Sequence, residues 1–157
     1  MTGRRSSDAD PSRDVDADRG TRRGRVAAIA FAVVVFVASI VPVPDLSTTA
    51  DAGGTLPPVL GGTGPFHLVG YALLAALAAR TIVVPAATGT TSSALRIGVV
   101  IAVVTSFGFG IELVQLAVPW RTFAWVDVGV NAVGATLGVA GWLLARRLVE
   151  RRAAVSR

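Results

Sequence analysis

Residues 26–43, VAAIAFAVVVFVASIVPV, decide the fold. They carry no charge, and Ser39 is their one polar side chain. At about 1.5 Å of rise per residue, a helix of this length reaches most of the way across the roughly 30 Å hydrocarbon core of a bilayer. A secretory signal is the rival reading, with Arg22 and Arg23 as a twin-arginine-like pair and Ala50, Asp51 and Ala52 as a cleavage site. The apolar run is long for a signal and the small residues lie far beyond its end, so the run reads as a membrane-spanning helix.

Working outward, three further apolar stretches predict helices over residues 66–84, 95–118 and 125–145. Loop chemistry separates them. Residues 44–65 hold Asp45, Asp51 and paired glycines and prolines, residues 85–93 are rich in turn formers, and residues 119–124 form a short turn. Residues 1–25 mix five aspartates with seven arginines and almost no large apolar side chain, which predicts a disordered tail. Residues 146–157 read as a second, basic tail. The fold class expected is all-α: an integral membrane four-helix bundle spanning residues 26–145.

The chain has 157 residues, of which 52% are hydrophobic, with a mean hydropathy of +0.62, too apolar for an ordinary soluble domain. All 15 basic residues are arginine. Seven precede Val26 and five follow Leu144, so they flank apolar segments and do not build a nucleic-acid-binding face. With Arg80 and Arg96 added, fourteen fall on one side of the predicted topology and only Arg121 on the other. By the positive-inside rule both termini are expected in the cytoplasm of a plasma-membrane protein. The absence of cysteine excludes disulfides and thiolate metal sites, and one histidine with one methionine excludes soft or multi-histidine sites.

The informative residues are the polar ones inside apolar runs, because a charge there costs several kcal/mol unless it is paired or wetted. They are His67, Tyr71, Glu112, Gln115, Arg121, Asp127 and Asn131, all expected in the outer half of the membrane. Thr105, Gly108, Glu112 and Gln115 follow one another at helical spacing, as do Asp127, Asn131, Gly134, Gly138 and Gly141. Facing these two stripes gathers Glu112, Gln115, Asp127 and Asn131 beneath Arg121, with His67 and Tyr71 completing the cluster.

Each of these has a plainer role open to it. Gln115 and Asn131 are as well suited to interhelical hydrogen bonds as to a ligand, and Arg121 can snorkel or pair with Glu112 or Asp127. A single His where a helix begins is often merely interfacial. Tyr71, Trp120 and Trp125 read simply as packing and interfacial-belt residues, and Gly108, Gly134 and Gly138 as helix packing, with Gly141 extending the groove. Glu112 is hardest to assign to structure alone, since it lies roughly 9 Å inside the end of its helix.

The string GIELVQLAVPWRTFAWVDVGVNAVGATLG, residues 110–138, resembles the signature of the VanZ-like family: Glu-x-x-Gln, an Arg, then Asp-x-x-x-Asn-x-x-Gly and a further Gly. The matching positions are Glu112, Gln115, Arg121, Asp127, Asn131, Gly134 and Gly138. The family's His and Tyr, four apart, are matched by His67 and Tyr71. The resemblance covers residues 26–144. Thr63 and Gly64 depart from it, standing where the family commonly has Asp-Lys. The family is named for a teicoplanin-resistance determinant, and membership implies no general biochemical activity.

Three functions follow as expectations. The first is an outward site that binds, or chemically alters, an amphipathic envelope or lipid-linked molecule: Glu112 as proton donor, Asp127 orienting His67, and Arg121, Gln115, Asn131 and Tyr71 holding the ligand. The second is a non-catalytic structural or interaction module whose polar cluster sets helix register. Transport is disfavoured, because four helices enclose too little space and their inner halves lack ionisable groups. His67, Glu112 and Asp127 are types able to ligate a divalent ion, but their sequence spacing does not require one, so neither metal nor cofactor is assigned. The partners expected are the lipid bilayer and that ligand. A homo-oligomer is compatible with the sequence.

Overall fold

The computed structural model describes residues 11–41, 64–83, 92–121 and 123–156. Among the described residues four helices follow one another: α1 (Pro11–Ile40), α2 (Gly64–Ile82), α3 (Ser93–Gln115) and α4 (Trp125–Val155). Each contains a segment long and apolar enough to cross a membrane, and in α1 that segment is Asp18–Ile40. By length and composition this is a multi-pass membrane bundle.

The outside of the bundle has the character of a lipid-facing surface. Val26, Ile29, Val33 and Val37 on α1, Val99 and Val103 on α3, and Val133 and Leu137 on α4 are all exposed. So large an apolar exterior would aggregate in water, and in a bilayer it meets its own kind.

The helices alternate in direction. Ser39 near the end of α1, His67 near the start of α2, Gln115 at the end of α3 and Asn131 near the start of α4 all lie at one end of the bundle, joined by hydrogen bonds. At the other end, a Cβ on Gly24 of α1 would meet Thr81 of α2 at 2.8 Å. The core between them is built from Tyr71, Leu74, Ala75 and Ala79 of α2, Val100, Val104 and Ile111 of α3, and Ala135 and Val139 of α4. Phe31, Ala32, Val35 and Phe36 of α1 pack on it from one side.

The closest seam joins α2 and α4, and glycine makes it. A Cβ on Gly134 would lie 2.7 Å from the Leu68 carbonyl oxygen, and one on Gly138 would collide with the carbonyl of Ala72. Without a hydrophobic driving force between helices in lipid, such backbone-to-backbone approach is a main source of association. The glycine stripe of α4 therefore faces α2, not the stripe of α3 as its spacing suggested. Gly141 meets nothing within 4 Å, so it does not extend the groove.

Several helix limits differ from expectation. The predicted disordered tail of residues 1–25 is helical from Pro11 onward, and its first ten residues lie outside the described ones. Proline suits a first helical position, and acid–base pairs one turn apart, such as Asp16 with Arg19 at 3.9 Å, favour continuing the helix. The predicted tail of residues 146–157 is likewise helical through Val155, with Arg146 donating to Glu150 at 2.7 Å. At 31 residues α4 is longer than a bilayer core is thick, so its arginine-rich last turns project beyond the apolar segment. Helix α2 begins at Gly64, inside the predicted loop. Helix α3 stops at Gln115, and the chain then winds through tight turns in which Val118 N–H donates to Gln115 O and Arg121 N–H to Val118 O. Pro119 accounts for the early stop: it has no N–H to give to the Gln115 carbonyl, which takes the Val118 N–H instead. Ser92 caps α3, its hydroxyl accepting from the Leu95 N–H at 3.2 Å. The rest of the predicted 44–65 loop, with Asp45, Asp51 and Thr63, lies outside the described residues.

Candidate functional site

The site is at the end of the bundle where α2 and α4 begin and α1 and α3 finish. Its floor is a glycine of α3: a Cβ on Gly108 would lie 2.6 Å from Asn131 Nδ2 and 2.8 Å from Tyr71 Cε1. Gly108 therefore makes room for two buried polar side chains, one from each neighbouring helix.

Asn131 is fully buried, and its Oδ1 lies 3.2 Å from His67 Nδ1. An amide oxygen only accepts, so Nδ1 is the donor in this contact and Nε2 is the ring nitrogen it leaves unused. The expected partner of His67, Asp127, is thus replaced in this role by Asn131. One turn of α4 separates them, and Asp127 keeps a carboxylate oxygen within 4.8 Å of a His67 ring nitrogen. The His67 ring is also stacked on Tyr71, with centroids 6.0 Å apart.

Glu112 has no exposed surface. Its Oε2 accepts from the Ala124 N–H at 3.4 Å, while Oε1 has no hydrogen-bond partner. Ala124 is the N-cap of α4 and supplies no side-chain cap of its own. The Glu112 carboxylate fills that role from another helix, in the position where unpaired N–H groups and the helix dipole favour negative charge. Asp127 stands in the first turn of α4, partly buried. One donor atom each of His67, Glu112 and Asp127 lies within 4.8 Å of the other two. With both carboxylates ionised at that separation, their repulsion is about 3.5 kcal/mol or more at an effective dielectric constant of 20. A proton or a cation between them relieves it.

Gln115 is buried and donates from Nε2 to the Ser39 backbone oxygen of α1 at 2.9 Å. This is the interhelical hydrogen bond its residue type allows. Tyr71 Oη and Asn131 Nδ2, like Glu112 Oε1, are buried without partners. Buried polar groups are nearly always bonded, so three orphans in one place point to something that completes them.

Beside this cluster lies a cavity of about 310 Å³ between α1 and α2, lined by Val34, Val35, Ala38, Ser39, Phe66, His67, Gly70, Tyr71 and Arg121. Arg121 is half-buried at its edge and forms no ion pair among the described residues, with Glu112 or Asp127 or any other acid. Helix α1 forms one wall of this cavity and holds the end of α3 through the Ser39 carbonyl. The signal available in sequence was slight: Ser39 is the sole polar residue of its apolar run, and Gly70 leaves space one turn from His67.

The structure thus brings His67, Tyr71, Glu112, Asp127 and Asn131 into one cluster, with Arg121 at the cavity edge and Gln115 committed to α1. No family model, curated protein or solved structure matches the chain.

Proposed function

We propose that this is a plasma-membrane protein with both termini in the cytoplasm, whose outward end binds an anionic, amphipathic molecule of the envelope, such as a lipid-linked phosphate. One observation carries the reading: an apolar cavity that ends on a histidine and on an arginine with no ion-pair partner among the described residues. An apolar chain fits between α1 and α2, and a phosphate or carboxylate meets Arg121 in a place where lipid keeps the dielectric low. At about 310 Å³ the cavity is at the small end of ligand sites, enough for part of one chain with the headgroup outside. The arginine distribution supports the orientation. The VanZ-like resemblance belongs to the same proposal, as does a link to glycopeptide resistance. His67, Glu112 and Asp127 supply proton donors and acceptors beside the headgroup position, so the site suits acid–base chemistry on a bound ligand.

The test is binding of a polyprenyl phosphate to the full chain in nanodiscs, with the unphosphorylated polyprenol of the same length as the uncharged control. Arg121→Ala is expected to weaken binding by about 10- to 100-fold, the value of a charge-assisted hydrogen bond. Equal affinity of wild type and variant would refute the proposal.

The structural reading is favoured by one contact, Gln115 to Ser39, which ties α3 to α1 without any ligand. It predicts that cluster variants lose abundance and binding together, whereas the ligand reading predicts Arg121→Ala at full abundance with binding lost.

A further inference from the structure

We propose that His67, Glu112 and Asp127 form a binding site for one divalent transition-metal ion of the zinc or manganese class. The three residues come from three helices and are brought together only by the bundle. Their donor atoms lie within 4.8 Å of one another. Ligands about 2.0–2.2 Å from a tetrahedral ion are roughly 3.4 Å apart, so side-chain rotation of about an ångström closes the set. One imidazole nitrogen and two carboxylates are a borderline donor set, suited to zinc or manganese and poor for a soft ion.

Two independent observations point to an ion in addition to the donors. Glu112 is fully buried, yet its Oε1 has no hydrogen-bond partner. The Glu112 carboxylate lies beside a second acid and a histidine, and a cation there would complete its unbonded oxygen. His67 is held by Asn131 through Nδ1, the arrangement by which a second ring of residues orients a metal-binding histidine and leaves its other nitrogen free. Asp127 is partly exposed and offers the ion a way in from the polar rim.

Three protein donors leave at least one coordination position for water or a ligand oxygen. His67 also lines the cavity, so an oxygen carried by a headgroup near Arg121 would find that position at hand. The ion would polarise such an oxygen as a Lewis acid. The metal inference stands apart from the amphipathic-ligand reading, because an ion can bind whether or not the cavity takes a lipid.

The experiment uses the untagged full chain in nanodiscs, stripped with chelator and titrated separately with zinc and manganese. Bound metal is measured by equilibrium dialysis and elemental analysis, and cobalt serves as a spectroscopic probe of coordination. One ion per chain is expected, with a cobalt visible spectrum of an ordered low-coordinate site. Asp127→Asn and His67→Ala are expected to abolish both. Asn131→Ala is expected to weaken binding 10- to 100-fold. Glu150→Gln, at the opposite end of α4, is expected to leave both intact. Should Asp127→Asn or His67→Ala lower abundance, zinc titrated into the wild type gives an independent reading, since His67 is the one histidine of the chain and its imidazole NMR signals must shift when the ion binds. No saturable binding by wild type at millimolar metal overturns the proposal. So does binding that survives in the His67→Ala, Glu112→Gln and Asp127→Asn variants, which would place the ion on the charged helix ends. Polyprenyl phosphate binding is measured on the metal-free protein, so loss of either property is read separately from the other.

Discussion

Replacing Gly138 by alanine is expected to separate α4 from α2. The added methyl carbon would overlap the carbonyl oxygen of Ala72 and lie 2.6 Å from its carbonyl carbon and 2.7 Å from its Cα. Carbon atoms in good contact are about 3.5–4.0 Å apart, so the backbones must part by about 1 Å. Neither helix can yield locally, because the atoms in the way belong to the hydrogen-bonded ladder of α2. A gap of that size forfeits a quarter to a half of the dispersion energy along the seam, where Ala75, Ala135 and Val139 are fully or almost fully buried. Lipid offers no hydrophobic compensation. Overpacking of this kind costs about 1–3 kcal/mol, and with backbone in the way the upper part of that range, about 2–3, is expected. Gly141→Ala is the internal control. Nothing lies within 4 Å of its Cβ position, and alanine gains up to about 1 kcal/mol of helix propensity. Both variants gain the same propensity, so two identical substitutions one turn apart should differ by the overpacking cost alone, about 2–3 kcal/mol, roughly a 30- to 150-fold difference in the unfolding equilibrium. Reversible SDS-driven unfolding in mixed micelles, followed by circular dichroism, measures both. If Gly138→Ala unfolds within 0.5 kcal/mol of wild type, or both variants shift the same way, the assigned α2–α4 seam is wrong.

Tyr71→Phe removes a buried hydroxyl that has no partner, so stability should be unchanged or slightly raised in the same unfolding assay. A loss above 1 kcal/mol would mean the hydroxyl is satisfied by the protein. Gln115→Ala removes the tie to the Ser39 carbonyl and should cost about 0.6–1.7 kcal/mol, the range for interhelical hydrogen bonds in membranes, with hydrogen exchange at the end of α1 rising in parallel. Unaltered exchange there would show that α1 is held by its apolar contacts alone.

Much of the site was legible because helical spacing is a local property. Glu112 and Gln115 share a face of α3 with Gly108, and Asn131 shares one with Gly134 and Gly138, and all six are buried as that spacing predicts. The same logic failed at Gly141, where the stripe outruns its partner helix, and at Pro11, where a charged segment with little apolar character extends a helix begun by its neighbour. It could not assign Ser39, whose backbone oxygen receives Gln115, because every residue type carries the same carbonyl.

By itself the sequence determined four spanning helices, the register of their polar positions and the charge asymmetry of their ends. Chain length, hydropathy and spacing contain these directly. Tertiary structure alone decided which faces meet: the α4 glycines with Ala72, Glu112 with the uncapped start of α4, Asn131 with His67, and α1 with α2 around a cavity. In a water-soluble bundle the apolar face points inward and narrows that choice. Within lipid both faces are apolar, so the choice falls to close backbone approach and to hydrogen bonds between residues as far apart in sequence as Ser39 and Gln115.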